Sequence, residues 1–342
     1  MKRKTHKLVT LFFIFFALIL TLIVWWGLLI PSSPGSDTKV LFIIQKGQGS
    51  KQIAQNLKNQ DLITSAFFFQ AYAFINGDTK KLQAGTYILT PGMSVSRIVK
   101  KISTGDALRE RLTIIEGWSI QDIAKDLEEK GLFSVDEFTD LLGNLQKIPS
   151  KDFSQAYSFL AEKPGSLSYE GYLFPDTYFI SMHETLEEII ERIFTNFDKK
   201  ITLDIRNEIR KQGKTLFEII TLASLLEKEV QSVKDKKLVA GILWKRLEAG
   251  MPLQIDATIA YLTGKQTTRI SRKETQISSP YNTYQNRGLP IGPIANPGIE
   301  SIQAALDPTQ SPYWFYLSTP QGKTIFSKNL DEHNIAKSQY LR

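Results

Sequence analysis

The sequence predicts an α+β fold: a single N-terminal transmembrane helix, a small module, and a larger mixed α+β domain. Three observations predict it. Leu8 to Ile30 is an uncharged, largely apolar run of 23 residues. An extended stretch, a glycine and an amphipathic helix then recur three times between residues 40 and 130. From residue 119 onward, helical periodicities follow one another until a hairpin pattern at 313–327.

The apolar run comes first. At about 1.5 Å per residue it is long enough for a hydrocarbon core of about 30 Å. Met1 to Lys7 carries four Lys/Arg and no acid, which places residues 1–7 in the cytoplasm. Trp25 and Trp26 stand near the far end, where an aromatic belt belongs. Ile30-Pro31-Ser32-Ser33-Pro34-Gly35 offers no small-residue cleavage site, so the expectation is a retained single-pass anchor in the cell membrane. Residues 31–38 read as a linker, and everything beyond them as extracytoplasmic.

Charge and composition narrow the classes. Of the formal net charge of +7, four charges belong to the anchor flank, leaving about +3 on the remainder. No basic stripe with interleaved aromatics occurs, so nucleic acid is not an expected partner. Cysteine is absent, and the fold must rest on its own core. The three histidines, His6, His183 and His333, form no His-Glu-x-x-His pattern. No metal or other cofactor is expected.

The repeats come next. Gly47 precedes Ile53 and Leu57, Gly92 precedes Ile98 and Ile102, and Gly117 precedes Ile123 and Leu127, each at spacings of six and ten. Extended stretches lead in at 40–44, 86–90 and 112–115, with Ser50, Ser94 and Ser119 at or near the helix caps. The first two units, with Phe67, Phe68, Phe69 and Tyr72 between them, make a module over 39–105. Its pattern resembles the LysM-like module of some cell-wall enzymes, which implies binding of N-acetylated glycan. The residues themselves equally fit a spacer.

From 106 to 342 the second domain is expected. Helices are predicted at 119–130, 135–143, 184–198, 202–211, 215–230 and 234–249, the last stopped by Gly250 and Pro252. On the 215–230 helix, Leu216, Ile219, Ile220, Ala223, Leu226 and Val230 share a side, and Glu227 projects among them. Glu218 and Glu229 are expected to face water. A carboxyl group facing apolar neighbours has its charged form desolvated and keeps its proton towards neutral pH. Such an acid suits protonation of a glycosidic oxygen. The alternative is a buried Glu paired with Lys or Arg.

Four further segments stand out. Tyr169 to Tyr178 alternates aromatics around Gly171 and Pro175, as a sugar-stacking cleft wall would, or a buried aromatic corner. In an extended run, Gln254, Asp256 and Thr258 would share one face. Tyr281-Asn282-Thr283-Tyr284 is the third. The Gly/Pro-rich run Arg287 to Gly298, with Leu289, Ile291 and Ile294 embedded, reads as an ordered loop.

These motifs together resemble the endolytic murein transglycosylase (YceG-like) family. Those that match are Glu170-Gly171-Tyr172-Leu173-Phe174-Pro175-Asp176, Leu222 to Glu229, Gln254 to Thr258, Tyr281 to Tyr284 and Gly288 to Gly298. The resemblance implies cleavage of the MurNAc–GlcNAc β-1,4 bond within peptidoglycan strands, leaving 1,6-anhydro-MurNAc ends and terminating strand elongation. It places the catalytic glutamate on Glu227, and substrate-binding positions on Glu170, Tyr172, Gln254, Asp256, Asn282, Tyr284 and Asn296. Glycan strands, the membrane, and peptidoglycan synthases or the elongation and division machinery are the partners it implies. The chain departs from the family at Lys245, Ala257, Ile291 and Thr324, where Asn, Pro, Pro and His are usual. Two other classes fit the residues: a hydrolase using Asp256 or Asp176 beside Glu227, and a non-enzymatic wall-binding or scaffold protein.

Overall fold

The computed structural model describes residues 14–15, 27, 31–181, 184–265 and 270–341. Most of the expected anchor, 8–30, lies outside them. Among the described residues, no helix is long and apolar enough to cross a membrane. The chain divides into two units, Met1–Arg111 with Phe179–Glu184, and Leu112–Tyr178 with Thr185–Arg342. The division falls six residues beyond the expected 105/106 boundary.

In the first unit, β1 (Val40–Ile44) pairs antiparallel with β2 (Gly85–Leu89), Phe42 opposite Tyr87. Period-two alternation sends Phe42 and Ile44 inward and leaves Leu41 and Ile43 exposed. Over the inner face lie α1 (Ser50–Asn59), α2 (Ala66–Ile75) and α3 (Val95–Ser103). The repeat positions Ile53, Leu57, Ile98 and Ile102 are all fully buried. Ser94 caps α3 by accepting from the Arg97 N–H; at α1 the cap is Gly49, one residue before the expected serine.

Strands β3 (Arg109–Thr113) and β4 (Thr177–Ser181) form a two-stranded sheet. The chain passes from one unit to the other along each of them.

The second unit is mainly helical. It runs α4 (Ile120–Glu129), α5 (Val135–Leu142), α6 (Leu186–Lys200), α7 (Leu203–Lys211), α8 (Leu216–Glu229) and α9 (Val233–Glu248). Then come α10 (Asp256–Thr263), α11 (Ile299–Leu306), the hairpin β5 (Phe315–Ser318)–β6 (Thr324–Ser327), and α12 (Leu330–Tyr340). Capping boxes start α4 at Ser119/Asp122, α6 at Thr185/Glu188 and α8 at Thr215/Glu218, each satisfying helix N–H groups that would otherwise be orphaned.

Two expectations about this unit are corrected. First, α8 is not amphipathic. Every residue from Ile219 to Leu226 is buried, Leu222 and Leu225 included, because α7, α9, α10 and α11 pack around it. Burial of each leucine contributes roughly 1.5–3 kcal/mol, so α8 is the axis of the unit. Second, Gln254 to Thr258 is not extended. Gln254 takes a left-handed φ of 56°, turning the chain into α10 at Asp256.

Candidate functional site

The last turn of α8 brings two glutamates into the protein in different directions. Glu227 meets three donors. Lys236 Nζ lies 2.9 Å from Oε1, while the Gly298 N–H and the Ser301 hydroxyl reach Oε2 at 2.9 and 2.6 Å. Local sequence explains the convergence. Helix α8 ends at Val230, Ser232 caps α9 by accepting from the Asp235 N–H, and the first turn of α9 carries Lys236 back beside Glu227. Gly298 is the N-cap of α11, so its N–H and the helix dipole both face the carboxylate. The two side chains are only 3% and 8% exposed, for Lys236 and Glu227 respectively. The sequence-expected unpaired acid is therefore an ion-paired one.

A further carboxyl faces the same point. Glu116 is exposed, yet a Cβ added to Gly298 would fall 1.9 Å from its Oε1. Burial and then the charge of Glu227 push Glu116 above its ordinary range, against the pull of Lys236. Next in the chain, Gly117 has φ +80°, and a side chain there would meet Lys228 Cδ and Glu227 Cγ at 3.5 and 3.6 Å. Its carbonyl accepts from Lys228 Nζ at 3.2 Å.

Glu229 is the second correction at this helix end. Instead of facing water, its carboxyl is buried and accepts from the Tyr316 hydroxyl and the Ala257 N–H. Burial pushes it up to about 7. Beside it, Asp256 accepts from the Tyr284 hydroxyl at 2.5 Å, and burial raises this carboxyl too. The nearby Arg246 guanidinium is occupied by the Trp314 and Leu253 carbonyls, each at 2.9 Å.

A cavity of about 350 Å³ opens in this unit, with Gly117, Ser119, Glu170, Lys228, Tyr261 and Lys265 among its walls. Glu227 is not one of its lining residues and adjoins it through Gly117. Glu170 is 2% exposed. Its carboxylate oxygens accept from the Ile120 N–H at 3.0 Å, Asn296 Nδ2 at 3.0 Å and the Tyr261 hydroxyl at 3.2 Å. Burial outweighs those donors and pushes Glu170 up to about 8. Among the described residues no cluster of His, Cys, Asp and Glu could hold a metal.

The other expected binding residues are scattered. Tyr172 is fully buried, packed with Phe159 and Phe197; the aromatics of 169–178 form a core corner rather than a sugar-stacking wall, and only Glu170 of this segment lines the cavity. The Tyr172 hydroxyl has no hydrogen-bond partner among the described residues. Asn282 is fully buried and staples its own loop, donating to the Thr275 and Ile277 carbonyls and accepting from the Tyr284 N–H. Asn296, also fully buried, donates to the Trp118 carbonyl and Glu170 and accepts from the Leu173 N–H. Both asparagines thus spend their amides inside the protein. Gln254 is exposed, its N–H bonded to the Thr283 carbonyl at 3.1 Å.

Sequence reasoning missed Lys236, Ser301 and Glu116. Only Glu116 carried a signal, as the residue before the glycine of the third repeat.

Comparisons with known proteins match nearly the whole chain. The model of the YceG-like family matches residues 42–339. An endolytic murein transglycosylase of Bacillus subtilis is 33% identical over 92% of this chain and 88% of its own length. One of Streptococcus pneumoniae is 33% identical over 90% of this chain, which spans 60% of that longer protein. A crystal structure of a yceG-like protein from Listeria monocytogenes superposes with a TM-score of 0.60 at 33% identity, covering 88% of this chain and 99% of that one. The chain belongs to the YceG-like family.

Proposed function

We propose that this chain is an endolytic peptidoglycan transglycosylase, anchored in the cell membrane, that cleaves the MurNAc–GlcNAc β-1,4 bond and leaves 1,6-anhydro-MurNAc ends. The observation that carries this reading is the 33% identity, over 92% of the chain, with a Bacillus subtilis protein named endolytic murein transglycosylase. In the proposed chemistry Glu227 acts twice. As an acid it protonates the departing glycosidic oxygen while the C1–O bond breaks. As a carboxylate it takes the proton from the C6 hydroxyl as that oxygen bonds to C1. No water is consumed, unlike hydrolysis by paired carboxylates. The Gly298, Ser301 and Lys236 donors suit the second half, since all three stabilise a carboxylate.

One observation favours a second assignment of the first half. Glu170 lines the cavity and keeps its proton to about pH 8, as a general acid at neutral pH must. In that version Glu170 gives the proton and Glu227 receives the one from C6. Of the other expected binding positions, Asn282 and Asn296 would support substrate indirectly by fixing loops, and Asp256 with Tyr284 forms a polar patch at the start of α10. The first unit, as a LysM-like module, would hold glycan, and synthases of the wall are the proposed partners.

Mass spectrometry of glycan strands incubated with the full chain tests the reaction. Anhydro ends, one water lighter than hydrolysed ends, are expected. Hydrolysed ends, or an unchanged digest, would overturn the proposal. Loss of anhydro ends in Glu227→Gln alone, with Glu170→Gln active, selects the single-carboxyl version.

A further inference from the structure

Helix α2 has the sequence Ala-Phe-Phe-Phe-Gln-Ala-Tyr-Ala-Phe-Ile, with no charge in ten residues. One side, Phe69 and Ala73, is fully buried in the first unit's core. On the other, Phe67, Phe74 and Ile75 are 71%, 78% and 77% exposed. At about 100° per residue, positions 67 and 74 nearly superpose and 75 follows one step round. Isolated exposed apolar side chains are ordinary; three large ones on a charge-free helix mark a covered surface.

Three observations identify what covers it. Gly27, inside the apolar 8–30 run, is buried, and a Cβ there would fall 2.3 Å from the Phe68 ring of α2. Just past that run, the Ser32 hydroxyl donates to the Asp61 and Pro91 carbonyls at 2.7 and 3.1 Å, tying the end of the run to the edge from which α2 starts. Charge is also divided unevenly. Residues 31–111 hold eleven Lys/Arg against five Asp/Glu, a balance of +6, whereas residues 112–342 hold 27 against 30, a balance of −3. Basic residues flanking an apolar face are the composition of a surface that meets anionic lipid.

We propose that the outer face of α2, through Phe67, Phe74 and Ile75, is seated in the interfacial layer of an anionic bilayer. The rings and the isoleucine occupy the headgroup–acyl boundary, and exposed lysines such as Lys58 and Lys80 meet the lipid phosphates. The inference rests on the reading of residues 8–30 as a membrane anchor.

The absence of cysteine makes the test clean. Single cysteines replace Phe67, Phe74 or Ile75 in the full chain, with Leu203, 73% exposed in the other unit, as the control. Each is labelled with an environment-sensitive fluorophore and reconstituted in vesicles of phosphatidylcholine and phosphatidylglycerol. Labels at 67, 74 and 75 are expected to shift to the blue and to be quenched by spin-labelled lipid, and the label at 203 to do neither. Flotation with the vesicles while labels at 67, 74 and 75 stay aqueous would overturn the surface alone. A blue shift without quenching by lipid would assign the face to a second copy of the chain and overturn it too. Failure to float at all would remove the anchor reading and this surface with it.

Discussion

Glu227 and Lys236 are buried together at the end of α8, and each is the other's charged partner. Removing one charge strands the other in a poorly solvating site. Glu227→Gln is therefore expected to lose about 3–5 kcal/mol of stability, measured by denaturant unfolding, along with all formation of anhydro ends. The double variant Glu227→Gln/Lys236→Met should regain most of that stability and none of the activity; cleavage by the double variant would show the pair to be structural. A helical projection cannot supply Lys236, nine residues on and past the end of the helix, and so it leaves an unpaired Glu227 and a Lys- or Arg-paired one both open. The projection misplaced Glu229 for a related reason: Tyr316 and Ala257 reach it from elements that a single helix does not reveal. Glu170 gives a second prediction. Its carboxyl is raised from 4.5 to about 8 by burial, so the folded state keeps a proton that the unfolded chain releases. The stability this contributes is complete below about pH 4.5 and lost as pH rises through about 8. Glu170→Gln, neutral throughout, should gain melting temperature relative to the parent between pH 5 and 8; a constant difference across that range would contradict the buried-acid assignment.

Among the elements, α8 is the one that organises the rest. Its Ser224 hydroxyl, fully buried, accepts from the Ile294 N–H at 3.1 Å and donates to the Thr221 carbonyl at 2.7 Å. That bond fixes the 287–298 loop to the axis of the unit, and the same loop delivers Gly298 to Glu227. Ser224→Ala would leave the Ile294 N–H without its acceptor, at a cost of about 1–3 kcal/mol. Activity should fall further than stability alone explains, which parallel unfolding and product assays would separate. The seam is also tight at Gly171, where φ is +88° and a Cβ would fall 2.7 Å from Pro293. Elements whose signals are local were legible in the sequence: capped helices, the three repeats with their buried Ile and Leu, and the 315–327 hairpin. Elements fixed by distant partners were not. Gln254 to Thr258 alternates polar and apolar residues as a strand would, but the left-handed turn at Gln254 and the Thr258 hydroxyl, bonded to the Ile255 carbonyl at 2.7 Å, start α10 instead. Asn282 and Asn296 stand as candidate ligand contacts on the family resemblance alone, and the sequence cannot show that their amides are spent on carbonyls distant in the chain or inside their own loop.

At the scale of the whole molecule, the anchor reading predicts that protease added to spheroplasts digests residues beyond 31; protection, or release of a shorter soluble form, would refute it. The two units share another property. They are joined by three covalent crossings, at 111/112 in β3, 178/179 in β4 and 184/185, and Phe179 to Glu184 belongs to the first unit although 67 residues, 112–178, separate it from the rest of that unit. A domain on one tether can be exchanged by a single recombination event or trimmed by a single stop codon. Here a cut at any one of the three crossings leaves part of one unit attached to the other. Moving the first unit intact into another chain would require three coordinated breakpoints rather than one.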